Sequence, residues 1–130
     1  MPNLNRRQFL LRSTLAIAAT ITYDQVLGFV KFPNRFWEKD NLNGWGFFED
    51  EELWHTTWDK PGKTGILHAY LKGKKALEMD AFEGEAQQKK LLQHWEKFLP
   101  GVNNYSVQSQ FYSWTKDIWS KGGWAYPTDE

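Results

Sequence analysis

Most of the chain has the short hydrophobic pattern of β-strands. Brief runs of β-branched and aromatic residues are separated by groups of Gly, Pro, Asn and Asp, which are typical of turns. Because successive runs are joined by short turns, we expect two or three of them to be antiparallel neighbours in one sheet. The predicted strands are residues 26–32, 45–48, 53–58, 65–71 and 105–114.

A helical pattern separates the fourth and fifth predicted strands. Between residues 85 and 99 the apolar side chains recur on one helical face, and Pro100-Gly101 ends the pattern. Residues 76–79 are predicted to form a shorter helix. Strands followed by helices and a last strand indicate the α+β class, with a small mixed or antiparallel sheet and one main amphipathic helix. The helical face consists of Leu91, Leu92, Trp95, Phe98 and Leu99.

Length and charge restrict the classes of function. A chain of 130 residues forms one domain at most. Its 16 basic and 16 acidic residues cancel, so the sequence offers no general electrostatic attraction to nucleic acid. The acidic run at residues 49–52 is interpreted as a solvated hairpin loop rather than a cation site, because runs of like charge are usually solvated.

The three histidines do not have the spacing of metal ligands. His55, His68 and His94 lie far apart in the sequence, and the chain contains no cysteine. No metal site is therefore predicted. His94 borders the predicted helical face and is interpreted as a partly buried structural residue.

The first residues resemble an export signal. Arg6-Arg7 is followed by Phe9-Leu10 and a short, weakly apolar run, a pattern similar to a twin-arginine signal peptide. We expect residues 1–25 to be this signal, with export to the periplasm or an equivalent compartment, and residues 26–130 to be the domain. The apolar run is too short for a stable membrane anchor. Ala16-Ile17-Ala18 offers a small-x-small cleavage site.

Residues 113–127 are the most informative segment, since they contain three tryptophans, a tyrosine and a glycine pair. Aromatic faces beside residues without a Cβ permit either a slot for a flat ligand or a tight turn under an aromatic core. The order of the residues resembles a motif of the flavin-containing amine oxidases. The resemblance implies that Trp114 lies close to the flavin ring and that Gly122 and Gly123 bring the backbone up to it. It implies that Trp124 is one wall of the aromatic cage that orients the substrate amine.

Two further features of the sequence can be compared with the pattern of the same family. Phe32-Pro33 followed by Phe36-Trp37 resembles the strand that enters its substrate domain. Many members carry a lysine ten residues before that Trp, which reaches the flavin through a water; here the position is Leu27, and Lys31 is not a substitute. Members with covalent flavin have a cysteine at the position of Gly123, so any FAD here is expected to be non-covalent.

The dinucleotide-binding unit of the family has no counterpart in the sequence. No Gly-x-Gly-x-x-Gly motif occurs in the 130 residues, and the resemblance covers roughly residues 27–127. We therefore expect a truncated member of the FAD-dependent amine oxidase family, a partial substrate domain that alone neither retains FAD nor oxidises amines. No residue is assigned as catalytic. Two alternatives remain: the substrate-binding half of a split oxidase with a separate FAD-domain chain, and a non-catalytic exported module that binds a small ligand. Self-association through exposed edges is a further expectation.

Overall fold

The computed structural model describes residues 20–127, with the side chains of residues 24–123. Most of the predicted signal peptide, residues 1–25, therefore lies outside the described residues. Residues 20–25 of that range are described. Thr20–Tyr23 forms strand β1, and Gln25 begins strand β2 (Gln25–Phe32). The strands thus begin before residue 26.

The main sheet has five antiparallel strands, and the predicted α+β class is confirmed. Besides β2, its strands are β3 (Trp45–Phe48), β4 (Glu51–His55), β5 (Gly65–Lys72) and β6 (Gln108–Ser113), whereas β7 (Trp124–Pro127) lies outside it. The strand order in the sheet is β3-β4-β5-β2-β6, and a separate ribbon pairs β1 with β7. β4 ends at His55, earlier than the predicted end at residue 58.

Two helices follow β5, namely α1 (Gly73–Asp80) and α2 (Gly84–Trp95). The predicted amphipathic face is confirmed for Leu91, Leu92 and Trp95, which are buried, but α2 ends at Trp95, so Phe98 and Leu99 lie beyond the helix. Two short 3-10 helices, Phe36–Asp40 and Val102–Asn104, lie in connections. Within residues 20–127, neither helix has the length and apolar character needed to cross a membrane.

The hydrophobic core lies between one face of the main sheet and the two helices. Alternate residues of β2 point into it, and Val26, Val30 and Phe32 are fully buried. Val26 pairs with Leu71 and Val30 with Leu67, so the same face of β5 joins the core. The helices contribute apolar residues of α1 and α2 to the same cluster.

The opposite face of the sheet carries aromatic side chains, several of which are exposed. Its residues alternate with the core residues along each strand, and cross-strand pairs such as Phe29 with His68 and Trp45 with Trp54 continue it across the sheet. Phe47 has 68% of its surface exposed. We call this surface the open face; it includes Leu27, Phe29, Trp45, Phe47, Trp54, His68, Tyr70 and Tyr112.

The interpretation of residues 49–52 as a solvated loop is wrong for Glu51. Glu51 begins β4 on the core face and is fully buried. Its carboxylate accepts hydrogen bonds from Trp95 Nε1 at 2.7 Å and His94 Nε2 at 2.7 Å, and Lys75 Nζ lies 3.5 Å away. The buried charge is therefore matched by donors from both helices, which compensates for its loss of hydration. His94 is partly buried, as predicted.

Candidate functional site

The connection between β6 and β7, residues 114–123, folds back onto its own start, and we call it the slot loop. The Gly122 N–H donates to the carbonyl oxygen of Trp114 at 2.9 Å. The Trp114 N–H donates to the carbonyl oxygen of Gln25 at 3.0 Å, and the Gln25 N–H donates to Thr115 Oγ1 at 3.2 Å. These bonds hold the two ends of the loop together beside the start of β2.

Asp117 organises the turn within the slot loop. Its Oδ1 accepts hydrogen bonds from the backbone N–H groups of Trp119 at 2.9 Å and Ser120 at 2.8 Å. Its Oδ2 accepts a bond from the Tyr112 hydroxyl at 2.5 Å. The hydrogen bond from Tyr112, followed by the two backbone bonds, lowers the pKa of Asp117 to about 2. The same hydroxyl–carboxylate bond raises the pKa of Tyr112.

A cavity of about 380 Å³ lies where the slot loop meets the open face, and we call it the slot. It is lined by three of the four residues to which the family resemblance assigned a binding role, Trp114, Gly122 and Gly123. The fourth, Trp124, begins β7 and pairs through its backbone with Tyr23, but its side chain lies outside the described part of the structure. The slot is completed by Gln25, Leu27, Tyr70 and Ser120.

Leu27 makes one wall of the slot apolar. It pairs with Tyr70 of β5 and with Tyr112 of β6, so it stands in the middle of three strands on the open face. Lys31 lies further along β2, is exposed and is not among the residues that line the slot. The position to which the resemblance assigned a lysine therefore contributes a hydrophobic contact and no charge.

Gly123 is required by the close approach of Gln25. A Cβ atom added to Gly123 would lie 1.6 Å from Gln25 Oε1 and 2.7 Å from Gln25 Cβ, which is closer than van der Waals contact allows. Gly122 has a φ of 149°, a backbone conformation that favours glycine. The glycine pair therefore has a specific structural reason in this chain, and a cysteine at position 123 would not fit without movement of Gln25.

Sequence reasoning missed Gln25 as a site residue. Gln25 is only 3% exposed, and its Nε2 has no hydrogen-bond partner among the described residues. Its position two residues before Leu27 on the same strand face was the available signal, because residues i and i+2 of a strand point to one side. That signal was set aside when residues 1–25 were interpreted as a leader.

The open face continues from the slot as a series of aromatic contacts. Tyr70 lies 5.9 Å from Trp54 between ring centroids, and His68 lies 4.2 Å from Trp54. His68 also stacks on Phe29 at 4.3 Å. Burial lowers the pKa of His68 to about 4, so the ring is neutral at neutral pH. The face next to the slot is thus aromatic, and its histidine is uncharged at neutral pH.

The described residues fit a flat, uncharged ring better than a metal ion. No group of three or more His, Cys, Asp or Glu side chains within residues 24–123 is arranged to hold a metal. Trp114 and Tyr70 offer ring faces, and the glycine pair offers backbone without side chains. The unpartnered Nε2 of Gln25 offers a hydrogen-bond donor to an acceptor on the edge of such a ring.

Comparisons with known proteins bear on the family and the fold of the chain. The family model of flavin containing amine oxidoreductases matches residues 26–129. Cyclohexylamine oxidase from Brevibacterium oxydans IH-35A is similar in structure, with a TM-score of 0.69 and 20% identity over 98% of this chain and 28% of that chain. Putrescine oxidase bound to putrescine gives a TM-score of 0.63 with 22% identity over 95% of this chain and 27% of that chain. No curated protein sequence matches at a significant level.

A triple mutant of putrescine oxidase, redesigned in its cofactor binding, is similar to the same degree. Its TM-score is 0.66 with 22% identity, and the match covers 95% of this chain and 27% of that chain. At these identities the likeness establishes the fold. The chain spans little more than a quarter of the length of the oxidases that it matches.

Proposed function

Because the chain belongs to the family of flavin-containing amine oxidoreductases, we propose that it forms the substrate-side part of an FAD-dependent amine oxidase. The observation that carries this proposal is the slot, in which Trp114, Gly122 and Gly123 surround one cavity beside the open face. The dinucleotide part of FAD is held by polypeptide that these 130 residues do not contain, since they have no Gly-x-Gly-x-x-Gly motif. FAD is not attached through a cysteine of these 130 residues, because the sequence contains none.

The residues of the slot bind and orient. FAD, when bound, supplies the acceptor for the hydride equivalent that leaves the carbon bearing the amine. Trp114 packs its ring against the flat ring system, and the backbone of Gly122 and Gly123 allows that ring to come close. Leu27 excludes water from one wall. Trp124 is one wall of the cage around the amine, as the family resemblance implies.

The open face offers an uncharged, aromatic surface to an amine. His68 is buried and neutral at neutral pH, so it brings no charge that would pair with the amine or repel it. Trp54 and Phe29 on either side of His68 offer ring faces to the apolar part of such a substrate. Putrescine and cyclohexylamine, the amines in the names of the similar oxidases, are the first substrates to try.

A second polypeptide that carries the FAD domain is the partner that the exposed aromatic side chains favour. Trp45, Phe47 and Trp119 have 58%, 68% and 89% of their surfaces exposed, which is unusual for a chain without a partner. In this form the chain is the substrate-binding half of a split oxidase. The twin-arginine route, whose signal the leader resembles, carries folded proteins. We therefore propose that the chain and its FAD-domain partner assemble before export.

The slot is tested by titrating riboflavin into the chain and following the quenching of riboflavin fluorescence at equilibrium. Riboflavin contains the flavin ring without the dinucleotide, so the absent motif does not affect the result. Trp114→Leu is expected to weaken binding about tenfold, because stacking on an aromatic ring contributes on the order of 1–3 kcal/mol. Trp119→Leu, a matched change in the same loop outside the slot, is expected to leave it unchanged. Equal affinities for the two variants, or no binding by the unmodified chain, would contradict the proposed slot.

The requirement for additional polypeptide is tested separately. The chain is incubated with excess FAD, desalted and examined by visible absorbance, and then assayed for peroxide with putrescine or cyclohexylamine. We expect a colourless protein and no peroxide. A retained flavin band with amine-dependent peroxide would mean that these 130 residues are a complete oxidase.

A further inference from the structure

Gln25 is a buried polar side chain whose amide group is not satisfied by the protein. The residue lines the slot and is 3% exposed, and its Nε2 has no hydrogen-bond partner among the described residues. Buried amide groups almost always have partners, because burial without one costs free energy. An unpartnered donor in a residue that lines a cavity therefore points to an acceptor that enters the cavity.

The backbone of Gln25 is fixed relative to the rest of the slot. Its N–H donates to Thr115 Oγ1 at 3.2 Å and its carbonyl accepts from the Trp114 N–H at 3.0 Å. Its Oε1 lies against Gly123. Position 123 therefore has to be glycine as long as the carboxamide stays in place.

We propose that Gln25 is a ligand-binding residue whose Nε2–H donates to an acceptor atom on the edge of the planar ligand in the slot. This assignment rests on the proposed function, because the ligand is then the flavin ring, whose edge carries carbonyl oxygens and ring nitrogens. Leu27, which shares the strand face with Gln25, has no donor to offer. Gln25 thus supplies the polar contact to the ligand that Leu27, two residues further along the strand, cannot make.

A consequence for processing follows from the position of Gln25. If the leader is removed after Ala18, β1 and Gln25 both remain in the folded protein. β1 pairs with β7 in the register Tyr23 to Trp124, so the retained segment also holds the start of β7 beside the slot. We expect the exported protein to begin before Thr20, and mass spectrometry of its N-terminus measures this directly.

The test compares Gln25→Met with the unmodified chain in the riboflavin titration. Methionine has a similar length and no donor, so the affinity for riboflavin is expected to fall about fivefold, the effect of one hydrogen bond. The thermal unfolding midpoint without riboflavin is expected to stay equal or rise, because the buried Nε2 that is removed has no hydrogen-bond partner among the described residues. Gln110→Met, a matched change on the open face outside the slot, is expected to alter neither quantity.

The outcomes separate this inference from the proposed function. If Trp114→Leu weakens riboflavin binding and Gln25→Met does not, the role of Gln25 is wrong and the slot remains. If Gln25→Met lowers the unfolding midpoint and leaves the affinity unchanged, Gln25 is structural. If the unmodified chain does not bind riboflavin, both proposals are wrong.

A measurement on the unmodified chain avoids dependence on a variant. In ¹H–¹⁵N spectra, the two protons of the Gln25 side-chain amide are expected to shift downfield when riboflavin is added, as they form the new hydrogen bond. A saturating titration without this shift would overturn the assignment of Gln25 to the ligand.

Discussion

His68 makes the stability of the fold sensitive to pH in a predictable direction. Its ring is 5% exposed and packed between Phe29 and Trp54, and burial lowers its pKa from 6.5 to about 4. In the unfolded chain the same group takes up a proton near the ordinary value. Between these two values the unfolded state binds more protons than the folded state, so stability falls as the pH falls.

The magnitude follows from the two pKa values. Above about pH 6.5 neither state carries the proton, and the contribution of His68 to stability is fully present. At about pH 5 the unfolded group is almost fully protonated while the folded ring remains neutral, which amounts to about 2 kcal/mol. The loss continues until the pH passes the folded pKa near 4.

The assay is urea unfolding followed by tryptophan fluorescence at about pH 7.5 and about pH 5. His68→Phe keeps an aromatic ring and removes the titrating group, and its Nε2 has no partner to lose among the described residues. The free energy of unfolding of the unmodified chain is expected to fall by about 2 kcal/mol more than that of His68→Phe over this range. Equal pH dependence in the two proteins would mean that water reaches His68, and the reasoning about the open face would be refuted.

Three further predictions concern the core, the glycines and the loop. Glu51→Gln is expected to lower the free energy of unfolding in urea by about 2 kcal/mol, because a buried charge matched by hydrogen-bond donors is removed. The control Glu52→Gln, which removes a partly exposed ion pair with Lys72, is expected to change it by less than about 0.5 kcal/mol. Equal effects of the two changes would contradict the burial of Glu51. Gly65→Ala places a Cβ 2.3 Å from Trp37 Cη2 and is expected to cost about 1–3 kcal/mol in the same assay, and an unchanged midpoint would show that the ring moves freely. Asp117→Asn replaces the carboxylate whose hydrogen bond with the hydroxyl, and to a smaller degree whose charge, raises the pKa of Tyr112. A pH titration of Tyr112 by NMR is expected to give a lower pKa than in the unmodified chain; an unchanged value would exclude the carboxylate as its cause.

Local pattern was enough to predict much of the fold. β2, β5 and α2 have clear strand or helical periods, because one face of each is buried and the other is not. The two strands were found where predicted, whereas α2 ends at Trp95 rather than Leu99. The slot residues Trp114, Gly122 and Gly123 were predicted from a family resemblance. Their meeting around one cavity depends on the hydrogen bonds at the base of the slot loop, which no sequence period encodes.

The misinterpretations of Glu51 and Gln25 from the sequence have a common physical cause. Glu51 was interpreted as solvated because its neighbours are acidic, but its partners Trp95 and His94 lie on a helix that is distant in sequence. Gln25 was placed in a leader because the signal-like pattern was taken to extend to residue 25, but its partners Trp114 and Gly123 lie near the other end of the chain. The strand period shows which face such a residue occupies, but it does not show the distant partners that bury it.

The most direct test of the substrate-side role is to observe where the flavin ring binds. Riboflavin is added to the isotope-labelled chain, and the backbone amide signals of Gly122 and Gly123 and the indole signal of Trp114 are followed in ¹H–¹⁵N spectra. We expect these signals to shift together and to saturate. Shifts confined to the helical side of the sheet, or no shifts at all, would contradict the proposal that this part of the chain faces the flavin.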